Sequence, residues 1–238
     1  MKKKTLLLFD IDGTLIMTGG AGFRAMKRAV SQVLDDDRAL DGISVAGRTD
    51  SIILRDALAA LGGPPLTTEL RDRIRDVYCE VLRAEIDAVG GGPGVLPGVR
   101  ELLARLADDP AYHVALLTGN FSQSAQIKLG YFDLWRHFTW GAYGEDAVER
   151  NDLLPVALER YTARTGESIL PADTVIIGDT PNDIEVALAG GARSVGVTTG
   201  HYDRAALEGA GADIVFHDLG DVDEVLRVFA GGGLTRPA

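Results

Sequence analysis

The sequence predicts an α/β fold: a parallel sheet covered by helices, with a helical insertion after the first strand. Two observations carry this expectation. Five short apolar runs have strand character: TLLLF (5–9), HVALLT (113–118), TVIIG (174–178), SVGVTT (194–199) and DIVF (213–216). Segments with helical spacing at 122–130, 152–164, 182–190 and 221–229 alternate with or follow the later runs. Strands that are apolar throughout and alternate with helices indicate a parallel sheet buried on both faces. The second observation is that residues 10–112 hold no convincing strand, which is too much chain for a single crossover helix.

Taken in order, the first strand (5–9) runs straight into Asp10, Asp12, Gly13 and Thr14. Helical periodicity then fills 20–34, 49–61 and 67–88, with LGGPPLTTE as a break and Thr68 as an N-cap. The acidic run LDDDRALD (34–41) connects two of these helices through solvent. Residues 89–98, VGGGPGVLPG, form a Gly/Pro-rich hinge. The simplest arrangement is a core of residues 1–16 and 93–238 with a helical insertion of residues 17–92 docked over it. The tail GGGLTRPA is expected to fray.

Composition narrows the function classes. The 238 residues are 46% hydrophobic and 25% charged, with a net charge of −11. An acidic protein is not drawn to nucleic acid or to an anionic membrane surface, and neither is expected as a partner. A small anionic substrate stays open, because a bound divalent cation supplies local positive charge. Cys79 is the only cysteine; it excludes an intrachain disulfide framework and reads as a small apolar core residue on a helix. The apolar run after MKKK ends at Asp10, too early for a signal peptide, and no segment reaches membrane-spanning length. We expect a cytoplasmic protein, monomeric or homodimeric.

Chemistry concentrates where three strands end. In an open parallel sheet, ligands bind in the crevice outside the carboxyl ends of the strands. Asp10 and Asp12 stand at the end of the first strand, Thr118, Gly119 and Asn120 at the end of ALLT, and Asp179 and Asp183 after TVIIG. Four clustered carboxylates repel one another unless protons or a cation intervene. Such an oxygen-rich set suits Mg²⁺, which shares its coordination with substrate phosphate. Asp10 is placed for nucleophilic attack on phosphorus. Asp12, two residues on, points to the same side and can protonate a leaving oxygen and then deprotonate water. Thr118 can donate its hydroxyl to a phosphoryl oxygen, and the amides of Gly119 and Asn120 would open the next helix, a favourable anion site.

The combination DIDGT, LLTGN and GDTPND, in that order and at those strand ends, resembles the haloacid dehalogenase-like hydrolase superfamily. The resemblance covers the whole core, and the insertion is similar to that superfamily's helical cap domain on a Rossmann-like core. TGN, KLGYF and GRTD are most similar to phosphoglycolate-phosphatase-like members. The resemblance implies an Mg²⁺-dependent phosphatase acting on a small phosphomonoester through an aspartyl-phosphate. It assigns Asp10 as nucleophile and Asp12 as acid/base. It also implies a metal site formed by Asp10, Asp179, Asp183 (directly or through water) and the main-chain carbonyl of Asp12.

A cation for the phosphoryl group is also expected. The family pattern puts a lysine at the start of the helix before TVIIG, where this chain has Arg150; Lys128, after TGN, is the alternative. Arg150 matches by position and Lys128 by residue type, with the preference leaning to Lys128. Arg48 in GRTD is an ordinary capping-turn residue unless the cap closes, when it can meet a carboxylate on the substrate. Asp-Gly at 12–13 is a turn signal in itself, but a turn does not account for Asp10 at the end of a buried apolar strand. Thr180-Pro-Asn-Asp183 is also a sound helix start. His113 and His137 read as satisfied structural histidines, and His201 as a loop residue near the active edge. A phosphomutase of the same fold and a silent phosphate-binding module are the alternatives to a phosphatase. Dehalogenation is disfavoured, since displacing halide needs no acid at Asp12.

Overall fold

The computed structural model describes residues 3–231, so the expected fraying of the tail lies, from residue 232 on, outside the described residues. In chain order the strands are β1 (Thr5–Phe9), β2 (Ile16–Met17), β3 (Gly94–Val95), β4 (Tyr112–Leu117), β5 (Gly141–Ala142), β6 (Thr174–Gly178), β7 (Arg193–Val197) and β8 (Ile214–Phe216). The helices are α1 (Ala21–Leu34), α2 (Asp50–Ala60), α3 (Thr68–Ala88), α4 (Val99–Ala107), α5 (Ser122–Tyr131), α6 (Leu153–Thr165), α7 (Pro181–Gly190), α8 (Arg204–Gly209) and α9 (Val222–Phe229). Among the described residues the main sheet runs β5-β4-β1-β6-β7-β8, with every neighbouring pair parallel. The expected α/β core is therefore present.

The alternation of side chains along a strand splits the sheet's burial between two layers. Leu7 and Phe9 of β1 join the apolar residues of α4 and α9 on one face. Leu6 and Leu8 join those of α6 and α7 on the other. This double covering explains why TLLLF is apolar at every position.

Helices α1, α2 and α3 share a separate apolar cluster, including Met26, Val30, Leu54, Ile74, Tyr78, Leu82 and Ile86, to which Phe121 of the sheet-and-helix core also belongs. Thr49 caps α2 by accepting from the Ile52 amide (3.2 Å). The N-cap of α3 is Thr67, which accepts from the Leu70 amide, and not Thr68 as expected. Both threonines satisfy the sequence signal; the residue with extended backbone takes the role.

Further differences are local. β2 and β3 lie in the stretch expected to hold no strand, and pair antiparallel with Ile16 opposite Val95 and Met17 opposite Gly94. They tie the outgoing and returning chains together at the base of the insertion. β5 is a two-residue edge strand with no apolar run to announce it, and α4 and α8 were not anticipated. β7 ends at Val197, although the Thr198 amide still donates to the Phe216 carbonyl of β8 (3.1 Å). Leu40 of the acidic run is buried. Cys79 is half-buried, not in the core. His113 is not a satisfied histidine: its ring packs edge-on to Tyr161, but its buried Nε2 finds no hydrogen-bond partner among the described residues.

The crossing of the two connecting segments is close. Gly92 has φ +68°, and a Cβ there would lie 2.5 Å from the Gly19 nitrogen. Gly42 also has positive φ (+74°) but open space around it. Gly42→Ala should therefore cost only the left-handed backbone penalty, about 1 kcal/mol. Gly92→Ala adds a backbone collision and should cost about 2–4 kcal/mol in urea denaturation. Equal losses at the two positions would contradict this account of the crossing.

Candidate active site

Strands β4, β1 and β6 are neighbours, so their C-terminal ends bring Thr118, Asp10 and Asp179 to one edge. Asp10 continues the line of β1, its amide donating to the Ile177 carbonyl (2.9 Å). Ile11 turns into the core, fully buried, and its carbonyl accepts from the amides of Leu15 (2.9 Å) and Ile16 (3.1 Å). That tight turn lifts Asp12 towards solvent on the same side as Asp10. Gly13 is required within it: φ is +80°, and a Cβ would lie 2.4 Å from Asp179 Oδ2.

Asp10, Asp179 and Asp183 each bring a carboxylate oxygen within 4.8 Å of the others, and all three are buried. Arg150, itself buried, bridges two of them, lying 3.2 Å from Asp10 Oδ2 and pairing with Asp183. Asp183 also accepts from the Thr180 amide (3.1 Å) and hydroxyl (2.7 Å), so it fixes the start of α7 while facing the site. Asp10 Oδ1 is buried without a hydrogen-bond partner among the described residues. Burial, and then neighbouring charge, raises the Asp179 carboxyl well above its ordinary range. Burial raises Asp10 to about 6, against the opposing pull of Arg150. An orphaned buried oxygen inside a cluster of three carboxylates fits a hard divalent cation such as Mg²⁺.

The Asp12 side chain stands apart from this triad. Its Oδ2 accepts from Lys128 Nζ (2.6 Å) and from Asn120 Nδ2 (2.9 Å). Lys128 also donates to Asn120 Oδ1 (2.7 Å), and Asn120 Nδ2 to Thr118 Oγ1 (2.9 Å). Burial alone would lower the Lys128 ammonium, but Asp12, Tyr78 and Asp50 raise it overall. Both candidate cations are thus at the site, serving different acids: Arg150 beside Asp10, Lys128 beside Asp12.

The helix N-terminus expected to receive phosphate is occupied otherwise. α5 begins at Ser122, and the Asn120 amide turns back to Thr118 Oγ1 (3.3 Å). The Phe121 amide donates to Asp50 Oδ2 (2.8 Å), and the Ser122 amide to Glu145 Oε1 (3.0 Å). Two carboxylates from distant parts of the chain thus take the Phe121 and Ser122 amides at the start of α5.

Gly119 lies beneath the insertion. Its carbonyl accepts from the Asp50 amide (2.7 Å), and a Cβ on it would lie 2.1 Å from the Arg48 carbonyl oxygen. The segment 47–51 is held across the sheet edge by further bonds: Asn182 Nδ2 to the Gly47 carbonyl (2.8 Å), Thr49 Oγ1 to the Val148 carbonyl (3.0 Å) and Ser51 Oγ to the Gly144 carbonyl (2.6 Å). Arg48 borders the cavity, but its guanidinium donates to the Ser44 carbonyl (3.0 Å) and pairs with Asp56. The cavity beneath measures about 230 Å³ and takes in Asp10, Asp12, Asn120, Lys128, Arg150, Asp179 and His201.

Asp50 closes the GRTD stretch, and the sequence gives it no role of its own. The structure makes it a buried link between insertion and core, with its carboxyl raised by burial to about 7. Tyr78, in mid-α3, also reaches the cavity; its helical spacing marks it only as apolar core.

The model for haloacid dehalogenase-like hydrolases matches residues 4–191. The chain is 28% identical over 223 residues to a protein of Dickeya dadantii named probable phosphatase IndB, covering 92% of each. It is 26% identical over 220 residues to a phosphoglycolate phosphatase of Pectobacterium atrosepticum, covering 91% of this chain and 89% of that one. Among solved structures, a hydrolase from Pseudomonas syringae aligns with a TM-score of 0.66 at 23% identity, covering 94% of this chain and 99% of that one. A putative beta-phosphoglucomutase from Bacteroides vulgatus aligns with a TM-score of 0.67 at 16% identity, covering 98% and 91%. These last two likenesses concern the fold. With the matched region spanning the strand ends that carry Asp10, Thr118 and Asp179, the chain belongs to the haloacid dehalogenase-like hydrolases.

Proposed function

We propose that this hydrolase is an Mg²⁺-dependent phosphatase that cleaves a small phosphomonoester through an aspartyl-phosphate on Asp10. The observation that carries the reading is Asp10 itself: a buried carboxylate at the end of the central strand, with one oxygen unpartnered and the other 3.2 Å from Arg150. The names of the relatives support a phosphatase, and phosphoglycolate is one substrate to try.

In the first step an Asp10 oxygen forms a bond to phosphorus as the bond to the leaving oxygen breaks, and Asp12 gives that oxygen its proton. In the second, Asp12 takes a proton from the water that attacks phosphorus, which releases phosphate and restores Asp10. Lys128 and Asn120 hold the Asp12 carboxylate over the cavity. Arg150, beside Asp10, is the cation on the transferring phosphoryl group. The Thr118 hydroxyl accepts from Asn120 and has its own hydrogen to give. It helps to hold Asp10 ionised and, once phosphate is attached there, reaches the phosphoryl oxygens. Asp10, Asp179 and Asp183 would hold Mg²⁺, which supplies the charge neutralisation that lets a carboxylate approach a phosphate dianion. Residues 17–92 act as a cap whose docking excludes bulk water from the site, and residues 1–16 and 93–231 as the catalytic core.

Two outcomes test this reading. Phosphate release from para-nitrophenyl phosphate should require Mg²⁺ and fall by about a thousandfold or more in Asp10→Asn; turnover that survives the substitution excludes Asp10 as nucleophile. The second outcome concerns stability. Asp10 titrates at about 6 in the folded chain, above the roughly 3.9 of a free aspartate. Its protonation therefore stabilises the fold fully below about pH 4, and that contribution is lost as pH rises through about 6. Asp179 shifts in the same direction. The melting temperature in EDTA should fall across that window, and the increment added by Mg²⁺ should grow across it. An Mg²⁺ increment that is absent, or the same at pH 4 and pH 7, would count against the metal site.

A further inference from the structure

The cavity has two unlike ends. Its floor, on the sheet edge, carries the acids and their cations. Its roof, contributed by the insertion, is formed largely by Met17, Met26, Leu40, Val45, Ile53 and the ring of Tyr78. Met26, Leu40, Ile53 and Tyr78 are almost fully buried and packed into the cluster of α1–α3, so this roof is a face of an apolar core and not a set of mobile surface chains. Phe23, exposed, stands at the rim.

Charge points the same way. Among the described lining residues the permanent cations are Arg48, Lys128 and Arg150. Each is already paired: Arg48 with Asp56, Lys128 with Asp12, and Arg150 with Asp10 and Asp183. The carboxyl that the insertion contributes, Asp50, is spent on the Phe121 amide and offers an anionic group no positive charge. A substrate that carries a carboxylate on its leaving group would find the Thr18 and Tyr78 hydroxyls on this side but no unpaired cation, so the loss of its hydration would be poorly compensated, which is costly. The volume, about 230 Å³, lies below the roughly 300–1,000 Å³ of pockets that enclose drug-sized ligands, which disfavours a nucleotide.

Resting on the phosphatase reading above, we propose that the insertion forms an apolar specificity pocket and that the preferred substrate is a small phosphomonoester with an uncharged, apolar alkyl or aryl-alkyl leaving group. With phosphorus at Asp10, the leaving group extends from Asp12 toward Met26, Val45 and Ile53. Its transfer from water to that surface supplies the binding energy. The Tyr78 phenol, kept neutral by burial, is a polar point on this roof and offers no positive charge.

The test compares kcat/KM for benzyl phosphate, butyl phosphate, glycerol 3-phosphate and phosphoglycolate, all esters of primary alcohols, with Mg²⁺ and the full chain. Benzyl or butyl phosphate should exceed phosphoglycolate by about tenfold or more, with glycerol 3-phosphate between. Val45→Lys places a cation on the half-buried roof. It should raise the ratio of phosphoglycolate to benzyl phosphate kcat/KM by about tenfold; a ratio cancels any general loss of active protein. Phosphoglycolate or glycerol 3-phosphate leading in the wild type, or an unchanged ratio in Val45→Lys, would overturn the apolar pocket while leaving the phosphatase intact. No turnover with any of the four esters or with para-nitrophenyl phosphate would overturn both.

Discussion

Three buried carboxylates at one sheet edge form the constraint around which the rest of this molecule is arranged. Asp10, Asp179 and Asp183 approach within 4.8 Å of one another, where mutual repulsion and lost hydration both disfavour charge. The chain answers with a buried arginine. Arg150 joins Asp10 to Asp183, and Asp183 is further held by both hydrogen-bond donors of Thr180. Asp10 keeps one oxygen unpartnered. A cluster so incompletely compensated is poised to take up positive charge, and the proposed chemistry uses that property for the metal, whose charge would offset that of the phosphoryl group. The sheet makes the cluster affordable, since β1, β4 and β6 are adjacent, parallel and covered on both faces.

The insertion depends on the same edge. Segment 47–51 is bonded to Gly119, Val148, Gly144 and Asn182, and Asp50 caps the amide of Phe121 just before α5. The helix N-terminus that a free anion would otherwise find is thus filled by the protein's own carboxylates, Asp50 and Glu145. In the proposed function, recognition of phosphate then falls to Arg150, Thr118 and the metal. Lys128 is left to hold Asp12. Lys128 beside Asp12 and Arg150 beside Asp10 thus separate two cations that look interchangeable along the chain.

This separation also marks what could be read from the sequence. The long strands were legible because burial on two faces writes an apolar residue at every position, and Asp10, Asp12 and Asp179 were legible because an acid stands out at the end of such a run. β5, β2 and β3 were not, since two residues held by remote partners leave no periodicity. The occupation of the α5 N-terminus was hidden for a similar reason: Asp50 reaches Phe121 across 71 residues. The sequence leaned to Lys128 over Arg150 by residue type, and both positions are compatible with a cation near the site; in the structure Lys128 pairs with Asp12 and Arg150 with Asp10. The apolar character of the cavity roof was likewise invisible, as Met26, Ile53 and Tyr78 read simply as helix core.

The central claim is a covalent bond between Asp10 and phosphorus, and the most direct measurement looks for that bond. The enzyme, mixed with Mg²⁺ and a phosphomonoester and quenched in acid within a turnover, would be digested and mapped by mass spectrometry. The account predicts the mass of one phosphoryl group on the peptide that contains Asp10, absent when the quench follows exhaustion of substrate. Turnover without any such species, or a phosphoryl group carried on a different residue, would contradict it.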